Sequence, residues 1–239
     1  MLKNYISIKD RLIEETYNEK RKNFDKIVSL WVYYVTRPFS FLLTPFFIIW
    51  KISANFATLI GFFFGLSSFA FCILGRWIES AIFYNLFLIF DSIDGNIARL
   101  ETPTKNGEYY DAITGDIINF LFIPFIGLGM HINDMDLFIQ NDYFRNNIFS
   151  VSLIASLFHL LSVLVSQRKK IIFNIKNGPI RIGNDKNVSI IEYLIRNSFG
   201  FAFNAPMSII FTFFGVLDLL IIYNLSIMPL LLVFTIFRK

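Results

Sequence analysis

One cysteine, Cys72, stands among 239 residues, and only 17% of the chain is charged. The single cysteine excludes a disulfide scaffold and a zinc domain built on thiolates. The shortage of charge excludes more. A soluble domain of this size keeps about a quarter of its residues charged to clothe its surface. Here 55% of residues are hydrophobic, 30 are phenylalanine, and the mean hydropathy is +0.56. Much of the surface must therefore meet lipid. The same composition excludes intrinsic disorder. The net charge of +4 is modest; its distribution points to orientation in a membrane, and no nucleic-acid partner is expected.

The first 37 residues are polar, with eight Lys or Arg and five acids, which is not the form of a cleavable signal peptide. Residues 24–34 (FDKIVSLWVYY) carry apolar residues at helical spacing, predicting a helix that lies on the membrane. Residues 39–50 are apolar but only 12 long, short of the roughly 20 needed to span. An interfacial or re-entrant segment is expected there. Six spans follow, at about 52–74, 77–100, 107–131, 143–166, 200–217 and 220–237.

Basic residues alternate between the intervening segments. The leader has eight plus Lys51, the 132–142 loop has none, and the 167–196 loop has seven. By the positive-inside rule both termini and the 100–106 loop face the cytoplasm. The fold class is all-α: a cytoplasmic leader with interfacial helices (1–51), then one six-helix membrane domain (52–239) with a polar cavity open to the cytoplasm. In a bacterium this would be the inner membrane.

Ionisable residues inside spans are expensive and face a bundle interior or a polar cavity. They are concentrated here. The second span ends Asp91-Ser-Ile-Asp94-Gly95-Asn-Ile-Ala98-Arg99, and the third begins Gly107-Glu-Tyr-Tyr-Asp111 and continues to Gly115-Asp116. On a helix, 91, 94, 95 and 98 share one stripe: two carboxylates and two very small side chains. Carboxylates are hard ligands for Mg²⁺ or Mn²⁺, ions that share their coordination sphere with phosphate oxygens. Gly95 and Ala98 leave room for a phosphorylated ligand, and Arg99 can grip phosphate in bidentate fashion. Gly107 and Asp111 present a further gap and ligand on a facing helix. The pattern suits metal-assisted phosphoryl transfer.

Asp91-x2-Asp94-Gly95-x2-Ala98-Arg99…Gly107-x3-Asp111 resembles the signature of the CDP-alcohol phosphotransferases, also called CDP-alcohol phosphatidyltransferases. Ala54-Asn55-Phe-Ala-Thr58 at the head of the first span is similar to that family's Pro-Asn-x-x-Thr. The resemblance implies two divalent ions, Mg²⁺ or Mn²⁺, held by four aspartates, and a CDP-alcohol donor lying across them. It further implies a hydroxyl acceptor, from a lipid or a small polar alcohol, that attacks the β-phosphorus and releases CMP. Carried over, Asp91, Asp94 and Asp111 are metal ligands; Asn55, Thr58, Gly95, Ala98, Arg99 and Gly107 line the CDP site. A homodimer embedded among membrane lipids is also implied.

One departure stands out. The family's ending is Gly-x3-Asp-x3-Asp, whereas here the last position holds Gly115 and an aspartate follows one place late, at 116. On a regular helix Asp116 points about 140° away from Asp111. A single wide turn within 111–116 would restore it, so Asp116 is expected to be the fourth metal ligand and general base through a π-bulge. Failing that, the chain is a degenerate homologue acting as a binding partner. An intramembrane prenyltransferase would repeat its aspartate motif, and a transporter would show internal repeats; neither is seen.

Elsewhere the simpler readings prevail. Arg168-Lys169-Lys170 reads as a membrane anchor, with Arg181 and Arg196 open to an anionic acceptor. His131 and His159 read as packing residues, Cys72 as a small apolar filler, and Phe62–Phe64 and Phe211–Phe214 as lipid-facing or interhelix runs.

Overall fold

The computed structural model describes residues 2–101, 103–173, 193, 197–198 and 200–237. Among these the regular structure is all helical. The helices are α1 (Leu2–Thr16), α2 (Glu19–Val28), α3 (Arg37–Ile49), α4 (Ala54–Ile73), α5 (Trp77–Leu100), α6 (Lys105–Ile132), α7 (Asp142–Ile172), α8 (Phe201–Phe213) and α9 (Asp218–Phe237), with a π-helical turn at Val32–Thr36 running into α3. Short polar side chains set their starts. Asn18, Ser53, Thr104 and Asn141 each accept from the backbone N–H three residues on, satisfying a donor the helix itself leaves unpaired.

Five stretches are long and apolar enough to cross a membrane: Val32–Ile49, Ala54–Ile73, Lys105–Ile132, Asp142–Lys169 and Asp218–Phe237. The set differs from the six expected spans at three points. The segment expected to be a short interfacial or re-entrant piece is continuous with the π-turn and reaches 18 residues, the wide turn carrying the helix up to Pro38 through the bond from Arg37 N–H to the Val32 carbonyl. α5 has the length, at 24 residues or about 36 Å, but its carboxylates and Arg99 set it apart from the apolar helices. The expected 200–217 span is a helix of only 13 residues, roughly 20 Å, closed by a turn with Gly215 at φ 68°.

From α4 onward the helices alternate in direction. α4 packs on α5 and α6, α7 on α6 and α9, and α8 on α5. One end of the bundle gathers the start of α4, the end of α5 and the start of α6. The ends of α7 and α9 meet where Lys169 Nζ donates to the Ile236 carbonyl (2.8 Å). The acidic 133–142 loop joins the other end: Asn133 donates to the Ile73 carbonyl (3.0 Å), and Asp218 accepts from the Ile139 N–H (3.0 Å).

Aromatic packing fills the core. Tyr84 stacks on Phe122 at 3.7 Å, its hydroxyl donating to Asn119 Oδ1 (2.7 Å), and Phe69 stacks on Phe125. Gly129 lets α6 come against the Cys72 carbonyl so closely that a Cβ would collide with it. Cys72 is buried, as its reading as a filler requires. Of the phenylalanine runs, Phe62, Phe64 and Phe211 pack against the core, while Phe63, Phe213 and Phe214 are exposed.

The leader is held against the bundle by specific contacts. Leu12 is fully buried, Tyr5 donates to the Leu42 carbonyl (2.8 Å), and Trp31 Nε1 donates to Asn85 on α5 (2.8 Å). The single helix expected over 24–34 is broken at Ser29, whose backbone is extended and whose Oγ accepts from the Val32 N–H (3.2 Å). Asn197 holds the break from the other side, accepting from Leu30 N–H (2.7 Å) and donating to the Ile27 carbonyl (3.0 Å).

Candidate active site

At the end of the bundle where α5 finishes and α6 begins, a cleft of about 160 Å³ opens. Its wall includes Asn55 and Thr58 from α4, Asp94, Gly95 and Ala98 from α5, and Gly107 and Asp111 from α6. Sequence spacing put these residues on separate stripes, and the packing of α4 on α5 and α6 brings the stripes together. Asp94 is 3% exposed and accepts from Thr58 Oγ1 at 2.6 Å. Thr58 therefore orients a site carboxylate, while Ser53 performs the capping of α4. Asp91 lies a turn below Asp94, within hydrogen-bonding reach of Asp111 across the α5–α6 interface. Two carboxyl groups so placed repel unless a proton or a cation stands between them.

Glycine serves two different purposes here. At Gly107 a Cβ would stand 3.1 Å from Asn55 Oδ1 and from Thr104 Oγ1, so the absent side chain keeps the cleft open where α4 and α6 meet. At Gly95 the space is taken by the protein itself: Arg99 Nη1 lies 3.2 Å from where the Cβ would be. Gly95 thus lets Arg99 fold back along α5, where its Nη2 donates to Asn96 Oδ1 (2.8 Å).

Asp116 is where the structure corrects the sequence reading. α6 is an unbroken α-helix from Lys105 to Ile132, without a wide turn in 111–116. Ordinary helical geometry turns Asp116 toward α7, where it accepts weakly from Gln167 Nε2 (3.4 Å), and it does not line the cleft. A Cβ at Gly115, by contrast, would meet nothing within 4 Å. The position that continues the Gly107–Asp111 stripe is empty of a side chain.

The residues present suit divalent ions by their chemistry: three carboxylates from two facing helices, with Asp94 and Asp111 lining the cleft. Among the described residues, no three His, Cys, Asp or Glu are drawn together as a ready-made ligand set. Asp91, Asp94 and Asp111 are the groups that would hold such ions.

Sequence reasoning missed other contributors. Ser53, Glu101, Pro103, Thr104 and Glu108 also line the cleft. Behind it, Asn96 connects Arg99 to Arg37 and Asp25 of the leader. A threonine three residues before Gly107 is a helix-cap signal that could have marked Thr104; the Asn96 connection had no signal, since it joins residues far apart in the chain. Arg181 and Arg196 lie outside the described residues, as does the Lys170 side chain.

No individual curated protein matches the chain. A family model does, over residues 51–237, a stretch that takes in every cleft residue named above. With Asp94, Asp111, Gly95, Ala98 and Gly107 lining one cleft, and with that match across most of its length, the chain belongs to the CDP-alcohol phosphatidyltransferase family.

Proposed function

We propose that this protein transfers a substituted phosphate group from a CDP-alcohol to an acceptor hydroxyl and releases CMP, with Mg²⁺ or Mn²⁺ as cofactor. The observation that carries the reading is the cleft: Asp94, Gly95 and Ala98 face Gly107 and Asp111 across it, with Asp91 close to Asp111 beneath. Two ions, when bound by Asp91, Asp94 and Asp111, would neutralise the diphosphate oxygens and ease loss of CMP.

The chain's own residues supply the rest. Thr58 fixes the rotamer of Asp94. Arg99 offers guanidinium donors to a phosphate oxygen. Asn55, Gly95, Ala98 and Gly107 leave a polar slot beside the carboxylates for the nucleotide. A cleft of this volume holds about five waters, so it accommodates a diphosphate while the remainder of the donor lies at the open mouth. The acceptor's proton passes to a carboxylate at that mouth; Glu108, which follows Gly107 and lines the cleft, is placed to take it. With Val32–Ile49 lying at the membrane surface as part of the leader, α4 to α9 make six crossings, with both termini and the cleft on the cytoplasmic side, and the protein works as a homodimer. The leader (1–51) and the helices after it are read as one functional unit.

Asp116 supports a second reading. Because the family's last aspartate position is Gly115 and Asp116 faces α7, a homologue that binds the donor without turning it over fits the same cleft. The test is CMP release by protein in nanodiscs, with CDP-diacylglycerol, CDP-ethanolamine, CDP-choline and CDP-glycerol as donors, with and without Mn²⁺. Lipid extract and small polyols serve as acceptors. Metal-dependent release that Asp91→Asn abolishes establishes the first reading and names the donor. Metal-dependent CDP binding without release from any donor establishes the second, and neither binding nor release overturns both.

A further inference from the structure

The family match begins at residue 51, yet the buried side chains nearest to Arg99 lead back into the chain before it. Asp25 on α2 is 3% exposed and accepts from Arg37 Nε at 2.6 Å. Arg37, at the start of α3 and 5% exposed, donates through Nη1 to Asn96 Oδ1 (3.3 Å). Asn96 is fully buried on α5. Its Nδ2 donates to Ser40 Oγ (3.1 Å) and Thr44 Oγ1 (3.2 Å), and its Oδ1 also accepts from Arg99 Nη2 (2.8 Å).

Every hydrogen-bonding valence of the Asn96 amide is therefore used, two donors and two lone pairs. That fixes its orientation: a flipped amide would set its NH₂ against two guanidinium groups. Ser40 and Thr44, one turn apart on α3, hold the donor side. Their own hydroxyls donate to the carbonyls of Arg37 (2.9 Å) and Ser40 (2.7 Å), leaving oxygen lone pairs for the amide. A buried ion pair contributes little net stability, because desolvation offsets the attraction, but it does specify geometry.

We infer that the leader is part of the site: Asp25 and Arg37 lock Asn96, and Asn96 sets the guanidinium of Arg99 beside Gly95 of the cleft wall, from where it reaches a nucleotide diphosphate. Asp25, Arg37 and Asn96 are positioning residues that act through Arg99. Arg21 closes the outer side of this knot, its Nε 3.3 Å from Asp25 Oδ1 and buried without a hydrogen-bond partner. The inference rests on the reading of Arg99 as a phosphate-binding residue, and two measurements separate the failures.

The first is calorimetric titration of CDP with Mn²⁺ into full-length protein in nanodiscs, comparing wild type, Asn96→Leu, Arg99→Ala and the double variant. Loss of one charge-assisted hydrogen bond predicts weakening of roughly tenfold in Asn96→Leu, and no further loss when it is added to Arg99→Ala. Wild-type affinity in Asn96→Leu, or losses that multiply in the double variant, overturns the relay. The second needs no ligand: phenylglyoxal modification of Arg99, quantified by peptide mass. The relay predicts severalfold faster modification in Asn96→Leu and in Arg37→Lys, which keeps the charge and loses the planar fork. An unchanged rate in both overturns it. If wild type binds no CDP while those rates still rise, the phosphate reading of Arg99 and the positioning of a nucleotide both fail, and only the side-chain contact stands.

Discussion

Two polar clusters sit on different faces of the last turns of α5, and they are built on opposite principles. On the cleft face, Asp91, Asp94 and Asp111 gather carboxylates, with Thr58 the only neutral donor paired to one of them in the contacts above. On the leader face, Asp25, Arg37, Asn96, Ser40 and Thr44 satisfy one another almost completely. A satisfied buried network fixes a shape, whereas converging like charges hold a site ready for something of the opposite sign. Under the proposed function, the contrast separates the residues that would do chemistry from those that hold them, on two faces of one helix.

Substitution should break the two clusters in opposite ways. The largest effect is expected for Asp94→Asn or Asp91→Asn: CMP release falls by about a thousandfold or more, as loss of an electrostatic stabiliser predicts. Thermal unfolding in detergent should stay level or move upward, because a like-charge repulsion is relieved. Asp25→Asn should do the reverse to stability. It strands the Arg37 guanidinium in a buried place, at a cost of about 3–5 kcal/mol on unfolding. If Asp94→Asn destabilises as much as Asp25→Asn does, the two clusters are not different in kind.

A smaller effect calibrates the scale. Gly129→Ala, remote from both clusters, drives a Cβ into the Cys72 carbonyl of α4, a backbone atom with no room to retreat. A loss of about 1–3 kcal/mol is expected in the same unfolding measurement. Gly115→Asp should be smallest in stability, within about 0.5 kcal/mol, since glycine and aspartate are both poor helix formers and the site is open. Its effect on CMP release is the informative part. It returns a carboxylate to the stripe of Gly107 and Asp111. A rise in release marks a missing base, and no rise, together with loss of release in Glu108→Gln, places the base at Glu108.

Much of the site was legible because it is local. Asp91, Asp94, Gly95, Ala98 and Asp111 lie on two helices whose periodicity sets their faces, and helical spacing is nearly independent of context. The Asp116 expectation failed for the same reason it was attractive. Counting residues showed that a bulge would restore the register, but a bulge has to be stabilised by packing, and α7 offers Asp116 Gln167 without one. The span count depended on where helices begin and end, which the π-turn before Pro38 and the Gly215 turn decide and hydropathy does not register. The leader's 24–34 helix broke at Ser29 because Asn197, far along the chain, satisfies the backbone there.

The sequence by itself determined that this is a helical membrane protein with a carboxylate stripe of the CDP-alcohol phosphatidyltransferase family, because composition, periodicity and motif spacing are properties of short stretches. Only the tertiary structure decided that Gly95 makes room for Arg99, that Asp116 turns away, and that Asp25 and Arg37 reach Asn96. The first turns on one side chain's rotamer, the other two join residues tens of positions apart, and a hydrogen bond depends on distances that no spacing along the chain encodes.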